Sequence, residues 1–167
     1  MMFALGVSLI PSQLPRAQIA AFFEAFGRLP QRVIMRMERP EGIRVPENIL
    51  LRKFLPQQAI LAHQKVTLYF GHGGVNGLME AIYYRCLCGA FLMIFWSFQC
   101  NKSRKAIIVM PVWADGEDNA RRLTERGAAV RVYKGDDGDS LYRAIVEARY
   151  KLRQGLTNHL EILVELT

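Results

Sequence analysis

The sequence has few cysteines, no long run of like charges and no apolar stretch that could span a bilayer. Its three cysteines, Cys86, Cys88 and Cys100, are odd in number and cannot form a closed disulfide set. The Cys-x-Cys spacing also lacks the downstream His pair that would complete a zinc site. The most apolar run, 86–98, has about 13 residues, whereas a membrane-spanning helix needs about 20. Met1–Ile10 is apolar but short and lacks a basic segment, so we expect no signal peptide. Together with the cysteine spacing and the short apolar run, this predicts no metal site and no membrane anchor in this chain.

Positive charge is in excess but scattered along the chain. The formal net charge is +7, which favours an anionic partner. No basic stripe interleaved with aromatic residues is present, however, so we expect no nucleic-acid partner. A hydrophobic content of 51% over 167 residues is enough for the core of one ordinary domain.

Short apolar strands alternate with amphipathic helices. The predicted strands are Met2–Leu5, Val33–Met37, Ile49–Leu51, Val66–Phe70, Ile107–Met110 and Ala129–Val132. The predicted helices cover 15–27, 56–62, 75–84 and 118–126, and a last one begins at Asp139 or Ser140. This alternation predicts an α/β fold with a doubly wound, Rossmann-like parallel sheet, whose ligands bind at the carboxyl ends of the strands.

The segment after Phe70 combines a glycine-rich turn with a helix start. Gly71–Gly74 lets backbone approach a ligand, and the first N–H groups of the following helix have no partner within it. With the helix dipole these groups make a diphosphate site, to which His72 and Asn76 add donors. Glu80 lies about 6 Å further along the same face, where its carboxylate could accept hydrogen bonds from two vicinal hydroxyls.

Each of these residues also has a structural explanation. A single His in a glycine-rich turn is often structural, Asn76 could only cap the helix, and Glu80 could lie on a solvated helix face. Their coincidence within nine residues at the end of a strand favours a phosphate or nucleotide site.

Four segments, in order and spacing, resemble the signature of the UDP-glycosyltransferase family. They are Leu51–Gln58, His72–Gly77 with Glu80, Pro111–Asp115 and Asp118–Ala120. The likeness extends from about Phe3 to Tyr150. It implies the C-terminal, donor-binding half of a two-domain GT-B glycosyltransferase, in which two Rossmann-like domains face each other across a cleft.

The resemblance implies a role for each candidate residue. Phe54 would stack on uracil in place of the usual Trp, and Gln57 would bond the base or ribose. The other roles are diphosphate binding by His72, Asn76 and adjacent backbone, ribose binding by Glu80, and binding of the transferred sugar by Asp115. The full predicted UDP-binding set is Phe54, Leu55, Gln57, His72, Gly73, Gly74, Asn76, Gly77 and Glu80. The implied donor is UDP-glucose, UDP-glucuronate or a similar UDP-sugar, with no cofactor and no metal, and the acceptor is a small lipophilic hydroxyl compound.

The chain departs from the family pattern in several places. Gly116 stands where the family has Gln, so one sugar contact is missing. Ala4 and Val7 flank Gly6 where the family favours hydroxyl residues, and Ala106 replaces a Pro. These differences leave the donor sugar undefined.

The largest departure is an apolar insertion of 19 residues, Cys86–Arg104, between the site helix and the next strand. A connection there is normally about 2–6 residues, and an exposed loop of this composition would be prone to aggregate. We interpret the insertion as translated non-coding sequence, such as an unspliced short intron; a membrane-contacting loop is the alternative. The domain organisation is then a donor domain over 1–152 and a truncated tail over 153–167.

The family's general base is a His of the N-terminal domain, supported by an Asp there, and this chain resembles the other domain. His63 and His159 lie outside the donor residues and are expected to be structural or surface residues. No catalytic residue is therefore predicted here, and we expect UDP binding without turnover. The chain is either a fragment of a full transferase or a non-catalytic nucleotide-sugar-binding module that acts with a partner chain. A location at the endoplasmic reticulum membrane is implied by the family resemblance alone.

Overall fold

The computed structural model describes residues 1–5, 14–90, 105–112 and 114–153. Its strands are β1 Met2–Ala4, β2 Val33–Arg36, β3 Ile49–Arg52, β4 Leu68–Gly71, β5 Ala106–Val109 and β6 Val130–Arg131. Its helices are α1 Arg16–Gly27, α2 Gln57–Ala62, α3 Val75–Ala90, α4 Ala114–Glu125 and α5 Gly138–Arg153.

Within the described residues, the strands form one six-stranded parallel sheet in the order β3-β2-β1-β4-β5-β6. The chain builds β1, β2 and β3 outward in one direction and then returns to place β4 on the other side of β1. The strand order therefore reverses between β1 and β4, and a ligand crevice is expected at their carboxyl ends.

Successive strand residues bury their side chains on opposite faces of the sheet. Phe3 and Phe70 belong to one buried cluster, which α1 and α5 cover with Phe22 and Ile145 among others. Their neighbours on the same strands belong to a second cluster, which α2, α3 and α4 cover. Both faces of the sheet are thus buried at β1, β4 and β5, as continuously apolar strands require.

The predicted α/β class and doubly wound parallel sheet are confirmed. The elements differ from the prediction mainly at two helix ends. Helix α4 begins at Ala114 rather than at Asp118, which places Asp115 and Glu117 in its first turn. Acidic side chains there interact favourably with the positive end of the helix dipole. Helix α3 continues to Ala90 and so extends into the predicted insertion.

Some predictions fall on residues outside the described part of the chain. These are the first loop around Gly6, most of the insertion (91–104) and the tail beyond Arg153. Among the described residues, no helix combines the length and the apolar character needed to cross a membrane.

Candidate functional site

The two helices that follow β4 and β5 begin side by side at the carboxyl edge of the sheet. β4 and β5 are paired, with Gly71 opposite Val109, so the loops that leave them are neighbours. The turn Gly71–Gly74 leads into α3, and Pro111–Val112 leads toward α4. Two sets of helix N-terminal N–H groups therefore lie at the same edge of the sheet.

The glycine turn packs directly against the first turn of α4. Gly73 has φ +89°, and a Cβ on it would lie 2.8 Å from the Gly116 carbonyl oxygen. A Cβ on Gly116 would in turn lie 2.8 Å from the His72 carbonyl oxygen. The two segments therefore meet backbone to backbone, which only glycine at these positions allows without displacement.

Asn119 fastens this contact. Its side-chain Nδ2 donates a buried 3.0 Å hydrogen bond to the Gly73 carbonyl oxygen. A carbonyl buried at this depth needs a partner, because leaving it unpaired costs about 1–3 kcal/mol. Asn119 is not among the predicted site residues, although it lies in the segment Asp118–Ala120, which resembles the family pattern.

The His72 side chain lies over the start of α3, half-buried. A Cβ on Gly74 would lie 2.3 Å from the His72 Nε2, so glycine at 74 leaves room for the ring. Burial lowers the pKa of His72, and the nearby negative charge of Asp115 opposes that shift. Its Nδ1 is buried and has no hydrogen-bond partner among the described residues. Burial thus favours the neutral form of the ring.

The N-terminus of α3 carries no acidic side chain in its first turn, whereas that of α4 carries Asp115 and Glu117. No acidic residue of its own first turn therefore compensates the positive end of the α3 dipole, which is suited to an anion. Asn76, the second residue of α3, is exposed and adds a side-chain amide there. Asp115 is also exposed and offers an acceptor for hydroxyl groups.

Glu80 is held by two amides from α2. Gln57 Nε2 donates to Glu80 Oε2 over 2.8 Å, and Gln58 Nε2 donates to Glu80 Oε1 over 3.1 Å. The structure thus joins two predicted site residues, Gln57 and Glu80, and adds Gln58, which is not among the predicted site residues. The sequence feature that could have indicated Gln58 is its position directly after Gln57 in the segment Leu51–Gln58.

The loop between β3 and α2 separates an exposed aromatic side chain from a buried aliphatic one. Phe54 is 76% exposed, whereas the next side chain, Leu55, is 8% exposed and packs into the core beside α2. Leu55 anchors the loop, so any contact of this residue with a nucleotide falls to its backbone. Phe54 offers a free ring face for stacking.

Gly77, also predicted to bind the nucleotide, packs on the core side of α3. A Cβ on it would lie 2.5 Å from the Tyr69 hydroxyl oxygen. Its lack of a side chain therefore serves the packing of α3 on β4.

Comparison with known proteins extends the likeness beyond the local motifs. The UDP-glucoronosyl and UDP-glucosyl transferase family matches residues 1–88. A UDP-glucuronosyltransferase of Pleuronectes platessa is 35% identical over 129 residues, covering 76% of this chain and 22% of that protein. UDP-glucosyltransferase 2 of Dactylopius coccus is 40% identical over 82 residues, covering 49% of this chain and 16% of that protein. The chain thus spans about a fifth of the length of the curated relatives it matches.

Solved structures share the fold. UGT89C1 of Arabidopsis thaliana, solved in complex with UDP, superposes with a TM-score of 0.71 at 22% identity, covering 99% of this chain and 37% of that chain. The match falls on the C-terminal part of GT-B glycosyltransferases, as the sequence predicted.

Proposed function

The chain belongs to the UDP-glucuronosyl and UDP-glucosyl transferase family, and on that premise we propose that it binds the UDP part of a UDP-sugar donor. The proposed site lies at the carboxyl ends of β3, β4 and β5. The donor would then be presented for transfer of a hexosyl or glucuronosyl group to a small lipophilic acceptor.

The observation that carries the proposal is the spacing between an anion site and a fixed carboxylate on one helix. The N-terminus of α3, whose first turn carries no acidic side chain, suits a diphosphate together with His72 and Asn76. Glu80 lies about 6 Å further along the same helix, close to the separation between the phosphate and the ribose of a nucleotide. The amides of Gln57 and Gln58 hold its carboxylate in one orientation, which prepares it for two vicinal hydroxyls.

We propose that the uracil base stacks on the exposed ring of Phe54. Stacking of a base on an aromatic side chain contributes about 1–3 kcal/mol. We expect Phe54→Ala to weaken UDP binding but to leave pyrophosphate binding unchanged. Equal weakening of both ligands would contradict stacking on this ring.

Asp115 is proposed to bind hydroxyls of the transferred sugar. It is exposed in the first turn of α4, next to the glycine turn. Gly116 offers no side chain for a second contact, so the identity of the sugar depends on residues elsewhere. Calorimetry with UDP-glucose and UDP-glucuronate, each on wild-type protein and Asp115→Asn, tests this role. If Asp115→Asn lowers the affinities for UDP and for the UDP-sugars equally, binding of the sugar by Asp115 is contradicted.

The described residues position a donor and stabilise its diphosphate, but they include no group proposed to deprotonate an acceptor. Transfer requires both substrates and a base in close proximity. We therefore propose that these 167 residues alone bind UDP without turning over a UDP-sugar. Measurable transfer to a lipophilic phenol by this chain alone would contradict that statement. The family resemblance further implies the endoplasmic reticulum membrane as the site of action, which subcellular fractionation of the native protein would test.

Isothermal titration calorimetry with UDP, UDP-glucose and UDP-glucuronate tests the site as a whole. Glu80→Gln removes a charged acceptor worth about 1.5–3 kcal/mol, so UDP affinity should fall at least tenfold. Asn76→Ala removes a neutral donor and should cost about threefold to tenfold. Glu125→Gln, an exposed change at the far end of α4, is the matched control and should bind as wild type. Folded protein that binds no uridine nucleotide, even with 86–104 deleted, would refute the proposed function.

A further inference from the structure

Tyr69 is a buried tyrosine beneath the Gln57–Glu80 pair. It is 1% exposed and belongs to the apolar cluster between the sheet and helices α2, α3 and α4. Its hydroxyl lies beside the side-chain amide of Gln57 and interacts with it. A polar group thus lies inside an otherwise apolar cluster and reaches one member of the proposed ribose site.

Two glycines make room for this side chain. A Cβ on Gly71 would lie 2.6 Å from the Tyr69 hydroxyl and ring, and one on Gly77 would lie 2.5 Å from the hydroxyl. At Gly77 the nearest ring carbon, Cζ, is 3.7 Å away, which is ordinary contact. Glycine at 77 is therefore required by the hydroxyl and not by the ring. Phenylalanine at 69 with alanine at 77 would fill the same space without a buried hydroxyl or a helical glycine, both of which cost stability.

The chemistry of the pair sets the orientation of the Gln57 amide. An ionised carboxylate only accepts hydrogen bonds, so Gln57 must turn its NH2 group toward Glu80. The same nitrogen is the Gln57 atom beside Gly77 and the Tyr69 hydroxyl. With one N–H donated to Glu80 and the other close to the Tyr69 hydroxyl, the group left for a ligand is the Gln57 carbonyl oxygen.

We propose that the Tyr69 hydroxyl is a positioning group, which fixes the Gln57 amide and through it the Glu80 carboxylate for the ribose hydroxyls. Gln57 then accepts a hydrogen bond from the nucleotide, so its partner is a hydroxyl or ring N–H and not a carbonyl. This inference rests on the proposed function, because it assigns a role within the same UDP site. Burial and the negative charge of Glu80 both raise the pKa of Tyr69, which keeps the hydroxyl protonated near neutral pH.

The test compares UDP with 2′-deoxy-UDP on Tyr69→Phe by calorimetry. We expect UDP affinity to fall about threefold to tenfold while 2′-deoxy-UDP affinity changes less than twofold, so the preference for the ribose diol shrinks. A merely structural effect would weaken both nucleotides equally. Tyr150→Phe, which removes a 59% exposed hydroxyl from α5, is the matched control and should leave both affinities unchanged.

A second variant covers the case in which Tyr69→Phe does not fold. Gly77→Ala displaces the hydroxyl from Gln57 while keeping the tyrosine, and it should also reduce the preference for UDP over 2′-deoxy-UDP. If either folded variant keeps the wild-type ratio of UDP affinity to 2′-deoxy-UDP affinity, the positioning role of the Tyr69 hydroxyl is overturned. Absence of UDP binding by wild-type protein would instead refute the proposed function, so the two failures are distinguishable.

Discussion

Replacing Gly77 by alanine probes how α3 packs on the hydroxyl of Tyr69. The added methyl group would lie 2.5 Å from the Tyr69 hydroxyl oxygen, a separation that real Cβ atoms essentially never show. Tyr69 is 1% exposed, so its side chain cannot swing into solvent to relieve the contact. Either α3 or the tyrosine must shift within a closely packed layer.

Two effects of opposite sign decide the magnitude. Forcing an extra methyl group into a packed core costs about 1–3 kcal/mol, whereas alanine in place of glycine in a helix gains up to about 1 kcal/mol. We therefore expect Gly77→Ala to lower the free energy of unfolding by about 1 kcal/mol. In the Tyr69→Phe background the nearest remaining contacts of the methyl group are at 3.7 Å. There the overpacking cost disappears, and the substitution should raise the free energy of unfolding by about 0.5–1 kcal/mol.

Urea unfolding of the wild type, both single variants and the double variant measures this double-mutant cycle. The expected coupling between the two sites is about 1.5–2 kcal/mol, well above the roughly 0.5 kcal/mol within which independent sites add. The midpoints should change without a change in the slope of the transition. An equal effect of Gly77→Ala in both backgrounds would refute the contact between position 77 and the Tyr69 hydroxyl.

Four further predictions concern the glycine turn, its pH dependence and the insertion. Gly73→Ala should destabilise the protein by about 2 kcal/mol or more in chemical denaturation, because alanine disfavours the positive φ and its Cβ overlaps a carbonyl oxygen; near-wild-type stability would contradict the turn geometry. Asn119→Ala should cost about 1–3 kcal/mol and weaken UDP binding, whereas the exposed neighbouring change Asp118→Asn should alter stability by less than about 0.5 kcal/mol. Because burial lowers the pKa of His72, the unfolded chain binds more protons there, so stability should fall as pH drops below about 6.5, and less so in His72→Asn; identical pH profiles in thermal unfolding would contradict the burial of the ring. If 86–104 are translated intron, the mature transcript lacks their codons, and a transcript that encodes them in frame excludes this origin.

Local patterns of the sequence were enough to place most elements. The continuous apolar runs Val66–Phe70 and Ile107–Met110 predicted buried strands, and β4 and β5 are indeed buried along their whole length. The predicted start of α4 was wrong because the helix begins at Ala114, only a few residues after β5, and no Ser, Thr, Asp or Asn directly precedes it as an N-cap. The acidic residues at 115 and 117 belong to the first turn of the helix and not to the loop.

For the site, the sequence by itself determined the order of its parts, since the glycine turn, the carboxylate four residues beyond Asn76 and the aromatic residue after β3 are all local patterns. Only the tertiary structure decided what holds these parts in place. The bond from Asn119 to Gly73 spans 46 residues and the bond from Gln57 to Glu80 spans 23, and both depend on how helices pack over the sheet. The packing of Gly77 on Tyr69 likewise follows from the face of β4 that α3 covers. Such contacts are not visible in sequence periodicity, because periodicity reports which residues are buried and not which side chains meet.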